Sequence, residues 1–204
     1  MPILGDATVV IARLARSTSN ALRVQLTTPD GTELAYAQQK GGVAVLLGYK
    51  NGGKSNYTVS NPTGDELRIA VGKTTTVTRQ NTPTGKIVPA DGAARFESGG
   101  GTVLAMVQPH NGSKADSAWH HRILSPVGDE LGVLTLMRAQ NGWAGIAAET
   151  TLWLLNENVG ALKAPSAGVL LELHAPVAPA LDDVMAAACV DFSVLPRGYL
   201  ASQR

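Results

Sequence analysis

Apolar and polar side chains alternate over short runs along this chain: Val24 and Leu26, Leu34 and Tyr36, Tyr57 and Val59, then Leu67, Ile69 and Val71, and later Leu131, Val133 and Thr135. A period of two puts such residues on one face of a β-strand and their neighbours on the other. The runs are punctuated by a recurrent tetrad: Thr28-Pro29-Asp30-Gly31, Asn61-Pro62-Thr63-Gly64, Thr82-Pro83-Thr84-Gly85 and Ser125-Pro126-Val127-Gly128. The polar first residue can bond back into a turn, proline presets φ at the second position, and glycine takes the left-handed position that leads into a bulge and the returning strand. The pattern predicts antiparallel hairpins in series. Further strands are expected at Val43 to Leu47, Val103 to Val107, Leu152 to Leu155 and Val169 to Leu173, about 10 to 12 in all by the usual spacing of strands and turns.

One stretch breaks the alternation. From Ala180 to Leu195 the chain carries four alanines and neither glycine nor proline, with Asp182 and Asp183 placed to suit the positive end of a helix. About four helical turns are predicted. The middle, Val184-Met185-Ala186-Ala187-Ala188-Cys189-Val190, is apolar on every face. A helix of that kind is enclosed by protein, and a barrel wrapped around it provides the enclosure. Asp191 stands out inside it, because a buried carboxylate must be bonded to donors or protonated. We expect it to anchor the helix to a neighbouring strand or loop.

Composition narrows the class. Apolar residues make up 44% of the 204 and charged ones 16%, which argues against disorder and coiled coil. Residues 1–204 are read as a single domain, since all-β barrels run to this length undivided, with Ser98-Gly99-Gly100-Gly101 as a flexible connection between two halves. The lone Cys189 cannot form an internal disulfide and suggests no redox role. The apolar run Val9 to Ala12 is not preceded by basic residues as a secretion signal would be, and Val184 to Leu195 falls short of the roughly 20 residues a membrane span needs. A cytoplasmic protein with no transmembrane segment is expected, at most peripheral to a membrane.

Net charge is +1, but residues 1–95 hold 11 Lys/Arg against 6 Asp/Glu and residues 96–204 hold 6 against 10. The basic excess around Lys40, Lys50, Lys54, Arg68, Lys73, Arg79 and Lys86 is compatible with a solvated barrel wall and with an anion-facing surface. Catalytic patterns are weak. Gly48-Tyr49-Lys50-Asn51-Gly52-Gly53-Lys54-Ser55 matches the phosphate-binding loop literally, but that mechanism needs a helix starting at the Lys-Ser pair, and Asn56 to Pro62 reads as strand and turn. His120 and His121, adjacent on a strand, point to opposite faces and are poorly placed to share a metal. No nucleophile elbow occurs, and no cofactor or metal is expected.

The hairpin repeats, together with the closing stretch Asp183-Val184-Met185-Ala186-Ala187-Ala188-Cys189-Val190-Asp191-Phe192, resemble the tubby C-terminal-like superfamily, nearest to its phospholipid-scramblase and LURP-one branches. The resemblance covers nearly the whole chain. It implies a mostly β fold: a closed barrel of twelve antiparallel strands around a central hydrophobic C-terminal helix at about residues 180–195. It also implies binding to phosphoinositide headgroups through basic residues of the barrel. The cysteine cluster and acidic calcium segment of the scramblase branch have no counterpart here, so calcium-driven lipid scrambling is not implied. The expected function is a non-enzymatic binding or scaffold module for anionic membrane lipid, with Lys50, Lys54 and Lys73 as headgroup contacts and Asp191 structural. The alternatives are a protein–protein interaction module and a nucleotide-binding protein using the Gly48 to Ser55 loop. Nucleic acid is not an expected partner.

Overall fold

The computed structural model describes residues 2–15, 23–40, 55–90, 93–110, 118–138 and 166–194. Twelve strands follow one another: β1 (Val9–Ala15), β2 (Arg23–Thr27), β3 (Glu33–Lys40), β4 (Ser55–Ser60), β5 (Glu66–Val71), β6 (Thr75–Arg79), β7 (Thr82–Ala90), β8 (Ala93–Ser98), β9 (Val103–Pro109), β10 (Ala118–Leu124), β11 (Glu130–Arg138) and β12 (Ser166–Leu173). The helix α1 (Pro179–Val194) comes last. Each strand pairs antiparallel with its sequence neighbours, and β1 pairs with β12 to close the barrel. The positions expected to be strands at Val43 to Leu47 and Leu152 to Leu155 lie outside the described residues.

The helix fills this barrel. Every residue from Leu181 to Ser193 is buried, and α1 touches β1, β2 and β12 on one side and β5 to β8 on the other. At 1.5 Å per residue its 16 residues span about 24 Å, enough to thread the sheet from one mouth towards the other. Close approach is possible because the wall is built of small residues where the helix passes. Ala12 and Ala94 lie on strands that the helix touches and belong to one core with its Ala186, Ala187 and Ala188. In β3 the buried face is Ala35, Ala37 and Gln39, with Leu34 and Tyr36 half-buried on the outside. In β11 Gly132, Leu134 and Thr135 are buried, whereas the apolar Leu131 and Val133 are half-buried. Alternation marks the strands, but the larger residues do not always face inward, since the helix already occupies the centre.

Three of the four expected turns form as read. The Gly31, Gly64 and Gly128 N–H groups donate to the carbonyls of Thr28, Asn61 and Ser125 at 3.0, 3.1 and 3.0 Å. The three glycines have φ of 91°, 89° and 97°. The side chains of Asn61 and Ser125 accept the N–H of the residue four positions on, at 2.8 and 3.0 Å.

The tetrad at residues 82–85 is different. The chain reverses before it, at Gln80-Asn81 with φ of 49° and 63°, a two-residue turn between β6 and β7. Thr82 to Gly85 then lie within β7, where Thr84 bulges out of the register between Thr78 opposite Pro83 and Val77 opposite Gly85. Gly85 is demanded by packing rather than by a turn: a Cβ there would lie 2.1 Å from Val184 Cγ2 of the helix. The fourth turn of this type is instead the run Ser98-Gly99-Gly100-Gly101, which joins β8 to β9. Gly101 has φ 89° and donates to the Ser98 carbonyl at 2.9 Å, and Ser98 Oγ accepts the Thr102 N–H at 3.1 Å. A stretch read as a flexible connection is thus a tight hairpin inside one continuous sheet.

Candidate binding surface

Because the strands alternate in direction, the connections fall into two sets at opposite ends of the barrel. One mouth, the turn end, holds the turns that join β2–β3, β4–β5, β6–β7, β8–β9 and β10–β11, together with the start of α1. The other holds the remaining connections, of which only residues 72–74 between β5 and β6 are among those described in full.

At the turn end the helix begins among buried charges. The Arg79 guanidinium, from the last residue of β6, donates to Asp183 at 2.6 and 3.3 Å and reaches Asp65 at 3.4 Å. Its hydrogen bond to Asp183 holds Arg79 above its ordinary pKa. Asp182, in the first turn of α1, accepts the Ile3 N–H at 2.7 Å and the Leu4 N–H at 3.3 Å. Ile3 and Leu4 are buried with it, so residues 2–8 form a strap over the mouth of the barrel. Burial pushes the Asp182 carboxyl up to about 6 against the opposing pull of those two backbone donors. Neither the strap nor the Arg79 pairing was legible in the sequence, because both join residues far apart in the chain. The only local signal was the acidic start of the helix.

Beside this cluster, a cavity of about 270 Å³ opens between the 61–65 turn and Gln80-Asn81. Its two cations are already engaged, Arg79 as above and Arg68 with Glu66 at 3.5 Å and with Asn81 Oδ1 at 2.9 Å. The groove offers a mixed, internally neutralised lining and none of the residues expected to bind a ligand.

Of the predicted residues, Asp191 and Lys73 belong to the other end. Asp191, fully buried on the last turns of α1, accepts a hydrogen bond from Thr75 Oγ1 at the start of β6, 3.2 Å away. Lys73 is exposed in the 72–74 connection. Lys50 and Lys54 lie outside the described residues, in the chain between β3 and β4. Ser55, which opens β4, is in register with Val71 at the close of β5, so the β3–β4 connection and the one bearing Lys73 leave the barrel at the same end. Ser55 begins a strand and is buried, whereas the phosphate-binding loop mechanism places that residue at the start of a helix.

The exposed charges are unevenly spread along the barrel axis, although the turn end also carries the exposed Arg68 and Arg122, paired with Glu66 at 3.5 Å and with Glu130 at 3.3 Å. Asp6, Asp30, Glu33, Glu66, Asp129 and Glu130 are exposed in or beside the connections of the turn end, with Asp65 half-buried among them. At the opposite end, Lys40 closes β3, Lys73 follows β5 and Arg23 opens β2, with Arg13 exposed on β1 beside it. Arg23 lies over the Tyr36 ring at 4.6 Å. Among the described residues no exposed carboxylate sits at that end. This axial division does not follow the halves of the sequence, since Asp6, Asp30, Glu33, Asp65 and Glu66 all belong to the net-basic residues 1–95.

The other candidates stay apart. His121 is buried in the barrel and His120 is on the outer face, where its Nδ1 lies 3.0 Å from Thr135 Oγ1. Among the described residues no group of three His, Cys, Asp or Glu side chains comes together as metal ligands. Cys189 is enclosed in the core, and burial pushes its thiol up to about 12. No described helix is long and apolar enough to cross a membrane. No protein-family model, curated protein or solved structure matches the chain.

Proposed function

We propose that this chain is a tubby-like, non-enzymatic binding module that docks on anionic membrane headgroups with the end of the barrel opposite its tight turns. The observation that carries this reading is the uneven axial spread of charge: exposed Arg13, Lys40 and Lys73 and half-buried Arg23 towards one end, where no described carboxylate is exposed, and at the other a rim of carboxylates of which Glu66 and Glu130 pair with Arg68 and Arg122. Such a molecule is oriented by an anionic surface, with its basic end attracted and its acidic rim held away. Each cation near the surface contributes about 1 kcal/mol, so several acting together give weak, salt-sensitive adhesion. The helix occupies the centre of the barrel, which favours recognition by the outside of the fold over capture of a ligand within it. The protein acts at the cytoplasmic side as a peripheral, reversible binder and needs no cofactor.

Co-sedimentation with liposomes, neutral against phosphatidylserine- or phosphoinositide-containing, tests the reading at low and physiological salt. Binding is expected only to the anionic vesicles, weakened by salt, and reduced severalfold by Lys40→Glu combined with Lys73→Glu. Equal binding to neutral vesicles, or no binding to any, overturns it and leaves a protein partner as the reading to pursue.

A further inference from the structure

The arginines of the outer wall fall into two groups. Arg68 on β5, Arg95 on β8 and Arg122 on β10 each lie beside a glutamate, at 3.5 Å from Glu66, 3.4 Å from Glu97 and 3.3 Å from Glu130. Arg13 on β1 and Arg23 on β2 have no carboxylate partner among the described residues, and neither has Lys40 at the close of β3. The cause is local composition. Strands β1 to β4 contain a single carboxylate, Glu33, which opens β3 at the turn end and accepts from Gln25 Nε2 at 2.8 Å.

The register sets these three cations in a row. Arg13 is opposite Gln25 and Arg23 is opposite Gln38, so Arg13 and Arg23, and then Arg23 and Lys40, are diagonal neighbours on paired strands, about 7–8 Å apart. Alternation turns all three outward, since Ala12, Val24 and Gln39 beside them are buried. The row climbs obliquely over three consecutive strands to the end of the barrel opposite the tight turns. The Arg23 guanidinium lies over the Tyr36 ring at 4.6 Å, a contact that holds it against the wall without an anion to neutralise it. Gln38 and Asn56, which flank the row, are exposed and neutral. Across the barrel the wall is different: β9, six strands from β3 around the ring of twelve, carries no charged residue.

We propose that the barrel meets the membrane on its β1–β3 shoulder, with Arg13, Arg23 and Lys40 against anionic headgroups and β9 turned away, so that its axis is tilted rather than upright on the open rim. The proposal rests on the membrane reading above and adds to it the contact face and the orientation. Paired arginines on β5, β8 and β10 present little net charge to a surface, whereas the unpaired row presents its full charge along one side of the wall, and an anionic plane draws that side down.

Vesicles of phosphatidylcholine and phosphatidylserine containing a spin-labelled lipid test this, with full chains that carry a fluorophore at Gln38→Cys on β3 or at Gln108→Cys on β9. Both positions are exposed and near the open-end terminus of their strands, and the native Cys189 is enclosed in the core. Quenching is expected to be severalfold stronger at residue 38 than at residue 108. Arg13→Gln combined with Arg23→Gln should lower vesicle affinity about tenfold or more, each cation contributing near the surface. Lys86→Gln combined with Arg95→Gln removes the same formal charge from β7 and β8 and should lower it by less than about threefold, since screened charges away from the contact count for little. Equal quenching at the two positions, stronger quenching at residue 108, or equal losses in the two double variants overturns the shoulder and leaves the membrane reading standing. A wild type that binds no vesicle, or binds neutral and anionic ones alike, overturns that reading and the shoulder with it. Should a double variant fail to fold, the labelled pair, which leaves every charge in place, still decides.

Discussion

The central helix starts and finishes in different company. At its first turn, Asp182 and Asp183 are buried beside Arg79 and the strap, where the helix dipole favours negative charge. Near its last turn, Asp191 is buried beside the neutral hydroxyl of Thr75, where the dipole opposes it. The first end is charge-dense and settled within the molecule, by an ion pair, backbone donors and the helix itself. The second tolerates one carboxylate inside and carries cations outside. The two ends therefore differ in how the charge around the helix is settled.

The comparison can be broken most forcefully at Arg79. Arg79→Ala leaves two adjacent buried carboxylates without their cation, and a loss of about 3 kcal/mol is expected in urea unfolding, the scale for breaking a buried pair by removing one partner. Arg79→Met should be little better, since it restores bulk but not charge. A loss below about 1 kcal/mol would mean that solvent, not Arg79, compensates Asp183. Asp191→Ala sharpens the contrast from the other side. It removes a buried, hydrogen-bonded carboxylate, so about 2 kcal/mol is expected. Full stability together with lost vesicle binding would move Asp191 from anchor to site. The smallest effect belongs to the turn rim: Gly64→Ala, at φ 89° with open space around its Cβ, should cost about 1 kcal/mol through backbone strain alone. Its thermal midpoint should fall by a few degrees, with vesicle binding unchanged.

The pH dependence adds a signed test at the same end. Asp182 has its folded value raised to about 6 from an ordinary 3.8, so the folded state holds the extra proton between the two. Its contribution to stability is complete below about 3.8 and is lost as pH rises through about 6, a span of about 3 kcal/mol. Urea unfolding series from pH 4 to 7 should lose that slope in Asp182→Asn.

Much of this was readable from local chemistry. Period-two alternation in Leu67, Ile69 and Val71 and glycine after an X-Pro pair at 28–31, 61–64 and 125–128 are properties of a few consecutive residues, and they form as read. The all-round apolar character of residues 184–190 foretold enclosure, and α1 is enclosed. The failures share a cause. Thr82-Pro83-Thr84-Gly85 has the same turn composition, yet its glycine answers to Val184, some hundred residues away, and the real reversal uses Gln80-Asn81, which carries neither glycine nor proline.

What the sequence determined by itself is the set of elements and the mouth each turn occupies, because hydrogen bonds within a turn and alternation within a strand are local and an antiparallel meander alternates its ends. What only the tertiary structure decided is which charges meet. Arg79 with Asp183, Asp182 with Ile3, Asp191 with Thr75 and the separation of Lys73 from Asp65 along the axis depend on closing β1 against β12 and threading α1 through the space enclosed. Electrostatic energy depends on distance in space and on exposure to water, and neither is a function of position along the chain.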